Sequence, residues 1–175
     1  MRGDTTSIAG IEIPSSDPLS LAIVIVHILV GIVCVAAGAV AMVSPKRPGR
    51  HPTLGNIYFW SLAAVFATAT ALSIMLWAEN YHLSILGTLA FASALAGRRA
   101  RRRLWPTWAQ WHITGMGLSY VLLLTAFYVD NGKQLPVWKD LPHWTYWTLP
   151  SLVGVPIIIW TLLRHPLSRR ASAVE

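Results

Sequence analysis

The cations of this chain gather in three clusters separated by long apolar stretches, and that spacing limits the folds open to it. Lys46, Arg47 and Arg50 follow the first apolar stretch; Arg98, Arg99, Arg101, Arg102 and Arg103 follow the third; Arg164, Arg169 and Arg170 follow the fifth. The connections between them hold only Lys133 and Lys139 as cations and carry Glu79, Asp130 and Asp140. Basic and acidic connections therefore take turns along the sequence. A helical membrane protein generates this alternation because short loops rich in lysine and arginine stay on the cytoplasmic side. The expectation is an all-α integral membrane bundle of five transmembrane helices, N-terminus outside and C-terminus cytoplasmic, in a bacterial inner (plasma) membrane.

Composition agrees. Soluble domains carry about one quarter charged residues, whereas this chain has 12% charged and 54% hydrophobic residues with a mean hydropathy of +0.51. A net charge of +7 in a soluble domain would suggest nucleic acid. Here each basic cluster is accounted for as a cytoplasmic anchor, so the expected partner is the lipid bilayer and nucleic acid is not expected. Cys34 is the lone cysteine and lies inside the first apolar stretch. It offers no internal disulfide and no haem-attachment motif, so thiol redox chemistry is not expected.

Residues 1–17 read as an external polar tail, with Arg2 its only cation and so without the basic opening of a cleavable signal peptide. The bundle is expected over residues 18–165, with Asp17 capping the first helix and Pro18 at its first position. Spans are placed at about 19–43, 53–78, 81–96, 108–129 and 147–163, leaving residues 166–175 as a cytoplasmic tail. The third is short against the roughly 20 residues that cross a bilayer. Trp77, Trp105, Trp108 and Trp111 suit the membrane interface, and Asp130-Asn131-Gly132 is a turn signal that stops the fourth span. Pro150, Gly154 and Pro156 predict a kinked or partly unwound fifth helix. Small residues such as Gly31, Gly38, Ala41, Ala67, Ala71, Ala90 and Ala94 permit close helix contact, whose plain reading is packing.

Histidine is the residue type that offers chemistry. His27 and His82 are expected toward the outer leaflet, His51 and His112 toward the inner leaflet. Two imidazoles at matching depth on facing helices are what a bis-histidine haem requires. An inner pair of His51 and His112, as ligands of the haem iron, and an outer pair of His27 and His82 would together make a transmembrane electron path with haem b as cofactor. The competing reading is structural: interfacial imidazoles hydrate or meet lipid phosphate, and His51, which precedes Pro52, reads as a helix N-cap. His143 and His165 look like interface residues. His112, inside a span, is expected to face the bundle, with Gly115 and Gly117 clearing space for a neighbouring helix or a flat cofactor. No zinc-protease, phosphate-loop or hydrolase motif is present, so catalytic residues are not assigned.

Four stretches, HPTLGNIYFW from His51, WHITGMGLSYVLLLTAFYVDNG from Trp111, LPVW from Leu135 and YWTLPSLVGVPIIIW from Tyr146, resemble the prokaryotic membrane proteins grouped as domain of unknown function 2306. The resemblance covers most of the chain from His51 onward. It implies a multi-pass bacterial membrane protein in which His51, Gly55, His112, Pro150 and Pro156 occupy motif positions, and it implies no activity.

Three functions fit these features. One is a small membrane electron carrier, haem-bearing or quinone-linked. Another is a non-enzymatic accessory or assembly subunit that docks on a membrane-protein partner or on a second copy of itself. The third is a carrier of a small solute or ion, with the broken fifth span and Asp130 lining the route.

Overall fold

The computed structural model describes residues 6–8, 11–13, 18–46, 48–75 and 77–164, with side chains for 18–46, 48–75 and 80–164. Apart from a short antiparallel ladder, β1 (Thr6–Ile8) with β2 (Ile11–Ile13), the secondary structure is helical: α1 (Pro18–Val43), α2 (Arg50–Met75), α3 (Trp77–Arg103), α4 (Trp108–Asn131) and α5 (Trp144–Arg164). Asp17, His165 and the 166–175 tail lie outside the described residues.

Four of these helices, α1, α2, α4 and α5, are long and apolar enough to cross a membrane. Their large apolar side chains are largely on the outside: Leu19, Ile25, Leu29 and Ile32 of α1, and Leu152, Ile157, Trp160 and Leu163 of α5, are all exposed. Water would not tolerate so much contiguous apolar surface. This is a membrane protein. The third span departs from expectation, because α3 does not meet the same length-and-hydropathy test. Its apolar stretch is bounded by Asn80 and His82 at one end and by Arg98–Arg103 at the other.

The chain divides into two compact units, Met1–Ser84 and Ile85–Glu175. In the first, α1 and α2 form an antiparallel hairpin. Gly49, at φ +112°, sits where an L side chain would be strained, and α2 starts at the next residue. His51 therefore lies in the first helical turn rather than at the cap. Pro52 is tolerated there because first-turn N–H groups lack helical partners anyway. The hairpin core is built on Cys34, Ala37 and Ala41 from α1 and Tyr58, Phe59, Leu62 and Val65 from α2. At the other end, the described part of α2 runs to Met75, and Ser73 Oγ donates to the Asn80 carbonyl at 3.3 Å.

In the second unit, α4 packs against α3 on one side and α5 on the other through missing side chains. A Cβ on Gly115 would lie 2.6 Å from the Ser93 carbonyl oxygen and 2.9 Å from the Gly97 Cα, so the α3 and α4 backbones nearly touch. Toward α5, a Cβ on Gly117 would meet Ile158, and one on Gly154 would overlap Val121. Gly132 faces the Tyr146 ring, whose hydroxyl donates to the Trp138 carbonyl at 2.9 Å and anchors the loop between α4 and α5. The turn expected at Asp130-Asn131-Gly132 is present, α4 ending at Asn131 and a single 3-10 turn following at Gly132–Gln134.

Of the kinked or partly unwound fifth helix expected, the unwinding is not observed. Helix α5 runs unbroken from Trp144 to Arg164 with Pro150 and Pro156 inside it. Pro150 falls early in the helix and is itself buried, and the interlocking of Gly154 with Val121 and of Ile158 with Gly117 holds the segment around Pro156 against α4.

The glycine contacts differ in what they can absorb. Gly115→Ala forces apart two backbones and should destabilise the protein by about 1–3 kcal/mol, the usual scale of overpacking. Gly117→Ala meets the Ile158 side chain, Cγ1 at 2.6 Å and Cδ1 at 2.9 Å, and no backbone, and should cost less, while Gly31→Ala, with no described residue within 4 Å of the new methyl, should not destabilise. Thermal unfolding of the three variants in one detergent gives the order; equal midpoints for Gly115→Ala and Gly31→Ala would contradict it.

Candidate functional site

The polar groups of the first unit line up along one seam of α1. Ser20, His27, Cys34 and Ala41 recur every seven residues, and each meets α2: Ser20 Oγ lies 3.8 Å from Met75 Sδ, His27 Nδ1 2.8 Å from Thr68 Oγ1, Cys34 Sγ 3.8 Å from the Tyr58 carbonyl, and the Ala41 carbonyl 2.8 Å from His51 Nδ1. A seven-residue interval is the repeat of two helices packed at a shallow angle, so one stripe of α1 faces α2 throughout.

The partners decide which nitrogen of each ring carries a proton. Thr68 directs its single hydroxyl proton to the carbonyls of Ala64 and Val65, at 2.9 and 3.0 Å. With its proton there, its oxygen is placed to accept from His27 Nδ1–H. The Ala41 carbonyl can only accept, so His51 Nδ1 also donates. In the second unit His112 Nδ1 lies 3.2 Å from the Gly97 carbonyl and donates in the same way. When these rings are neutral, Nε2 carries the lone pair in all three.

His51 belongs to a helix-end cap as well. The last carbonyls of α1 lack helical donors, and Lys46 Nζ bonds those of Ala41 and Met42 at 3.1 and 2.6 Å, with Ser44 Oγ on Val40 at 2.6 Å. Partial burial pushes the Lys46 ammonium below the usual lysine range.

His82 is half-buried and meets the Tyr81 ring edge-on at 5.5 Å on its own helix. Of the expected outer pair, then, His27 is tied to α2 and His82 contacts a neighbour on α3. Of the expected inner pair, His51 is tied within the first unit and His112 within the second. Among the described residues no group of three or more histidine, cysteine, aspartate or glutamate side chains could hold a metal ion. The space at Gly115 and Gly117 is taken by α3 and α5, leaving no slot for a flat cofactor at either glycine. His143 is exposed in the loop before α5, with the Trp147 indole N–H directed to its Nε2 at 3.4 Å. Asp130 is exposed at the end of α4 and accepts from Asn131 at 3.2 Å.

The basic connection between α3 and α4 has its own geometry. Leu104 adopts φ 49°, the left-handed position where glycine usually ends a helix, and Trp105 N–H reaches back to the Ala100 carbonyl at 3.3 Å. That turn folds Arg101 over the Trp108 ring, 4.5 Å from its centroid, and sets Trp105 edge-on to Trp111 at 5.9 Å.

No known protein family, no curated protein and no solved structure matches this chain.

Thr68 and the Ala41 carbonyl were not among the expected site residues. The seven-residue recurrence of Ser20, His27 and Cys34 was the available signal for the seam. The seam contact is measurable: a double-mutant cycle of His27→Leu and Thr68→Val should give a coupling of roughly 1 kcal/mol, the scale of interhelical hydrogen bonds in membranes. Strictly additive effects would show that the bond contributes nothing.

Proposed function

We propose that this chain is a non-catalytic subunit of a larger membrane complex, docking on another membrane protein. The observation that carries this reading is a contrast among its helical glycines. Glycine in a helix costs about 1 kcal/mol relative to alanine, and at Gly97, Gly115, Gly117 and Gly154 a neighbouring helix occupies the space released. Gly31 on α1 and Gly55 on α2 have nothing among the described residues within 4 Å of the missing Cβ. Such notches suit the close approach of a helix from another protein. The embedded histidines fit the same reading, since His27, His51 and His112 each use Nδ1 to join one element to another.

The topology in this proposal keeps all five helices across a bacterial inner membrane, N-terminus outside and C-terminus cytoplasmic. Support comes from the antiparallel α3–α4 hairpin: Gly97 and Ser93 lie against Gly115, inside the apolar part of α4. Were α3 not to cross, the Arg98–Arg103 cluster and Arg50 would fall on opposite faces, against the positive-inside rule. The resemblance to domain of unknown function 2306 is consistent with such a multi-pass protein and remains part of the proposal.

A b-type haem carrier is the second reading, favoured by one feature. Ligating imidazoles donate Nδ1–H to a carbonyl and bind the metal through Nε2, which is the state that the carbonyl partners impose on His51 and His112. The carrier reading is a third proposal, and with α5 unbroken it lacks the unwound segment as a binding element.

Two measurements test the proposal. Reporter fusions should place Arg50 and Arg101 inside and Gly132 outside; an active external reporter at Arg101 would overturn the topology. Extracted in mild detergent, the chain should run in an assembly with one stoichiometric second protein, and Gly31→Leu with Gly55→Leu should release it as a folded monomer. A solitary chain showing a sharp reduced b-type absorbance band, lost in His112→Ala, would replace the subunit reading with the haem reading.

A further inference from the structure

Four arginines closing α3, Arg99, Arg101, Arg102 and Arg103, have no described carboxylate of their own unit close to them. A helix C-terminus carries only about half a negative charge, and between Asn80 and Val129 the sequence has no carboxylate. Asp130 and Asp140, the described acidic residues of this unit, lie beyond the far end of α4, which at about 1.5 Å per residue is roughly 30 Å away. Arg99, Arg101, Arg102 and Arg103 are exposed. Beside them the turn also exposes apolar surface: Leu104 is 64% and Trp111 51% accessible. Cations, indoles and an exposed leucine together match the level of the membrane where phosphates overlie acyl chains.

We infer that the α3–α4 corner, formed by Arg99, Arg101, Arg102, Trp108 and Trp111, is a binding site for the phosphate headgroup of an anionic phospholipid. The left-handed turn at Leu104 brings Arg101 onto the Trp108 face, which holds the guanidinium plane at a set orientation and leaves its N–H edge to bond phosphate oxygens. The neighbouring arginines add charge, and Leu104 and Trp111 supply the apolar floor on which the upper acyl chain rests. The inference stands apart from the choice between subunit and haem carrier, since it uses none of the histidines and neither open glycine.

The test is lipid retention by the full chain, purified in a neutral detergent and titrated with phosphatidylglycerol or phosphatidylcholine, with bound lipid read by native mass spectrometry. At roughly fivefold in affinity per cation near a headgroup, three arginines should give phosphatidylglycerol a preference on the order of a hundredfold. Arg99→Gln, Arg101→Gln and Arg102→Gln combined should bring the two lipids to near parity, while Lys133→Gln, in the opposite connection, should change nothing. Arg101→Lys keeps the charge but not the stacked plane and should lose part of the preference; its circular dichroism guards against misfolding as the cause. Equal retention of both lipids by the unaltered protein, or an unchanged preference in the triple variant, would overturn the site. Displacement of phosphatidylglycerol by millimolar inorganic phosphate would assign the corner to a soluble anion, and displacement by short RNA to a nucleic acid, either of which overturns a lipid site.

Discussion

Exclusion of water from the helix flanks governs this structure. A polar group that cannot reach solvent must be satisfied within its own helix or on the next one. The hydroxyls of Thr70, Thr125 and Thr161 take the first route, each donating to the carbonyl four residues back at 2.7–2.9 Å. The imidazoles of His27, His51 and His112 are too large for that and reach across to Thr68, Ala41 and Gly97. Each helix pair described is joined by close backbone or small-residue contact, and two of them add a histidine bond.

This economy has a consequence for function. Lipid removes the hydrophobic drive between helices, so contact area and a few interhelical bonds must supply cohesion. Glycines facing a neighbour are therefore part of the fold, and under the proposed function the glycines with no described neighbour are where a partner helix docks. The same logic distinguishes histidine from arginine here. The embedded histidines are bonded within the protein, whereas Arg99, Arg101, Arg102 and Arg103 at the end of α3 are exposed.

Element by element, the sequence was most informative where a single physical rule applied. Pro18 opening α1 and the Asp130-Asn131-Gly132 stop of α4 are local signals that nothing in the packing contested. His51 and α5 went the other way. Proline at 52 argues against a helical His51, yet a glycine at φ +112° two residues before His51 lets α2 begin ahead of it. Proline at 150 and 156 argues for a broken α5, yet contacts of Gly154 and Ile158 with α4 keep it helical. At α5 a local preference of a few kcal/mol at most was outweighed by neighbours remote in sequence, and at His51 by a glycine close by in the chain.

The sequence alone determined the class of the protein, a helical membrane protein, because hydropathy and charge act segment by segment against a solvent whose thickness is known. It also marked His27, His51, His82 and His112 as the unusual residues. Only the tertiary structure decided what three of them do, since hydrogen-bond partners at Thr68, Ala41 and Gly97 are fixed by helix register, which no single segment encodes. The same register decided that Gly115 and Gly117 receive helices instead of a cofactor, and that Arg101 lies on Trp108.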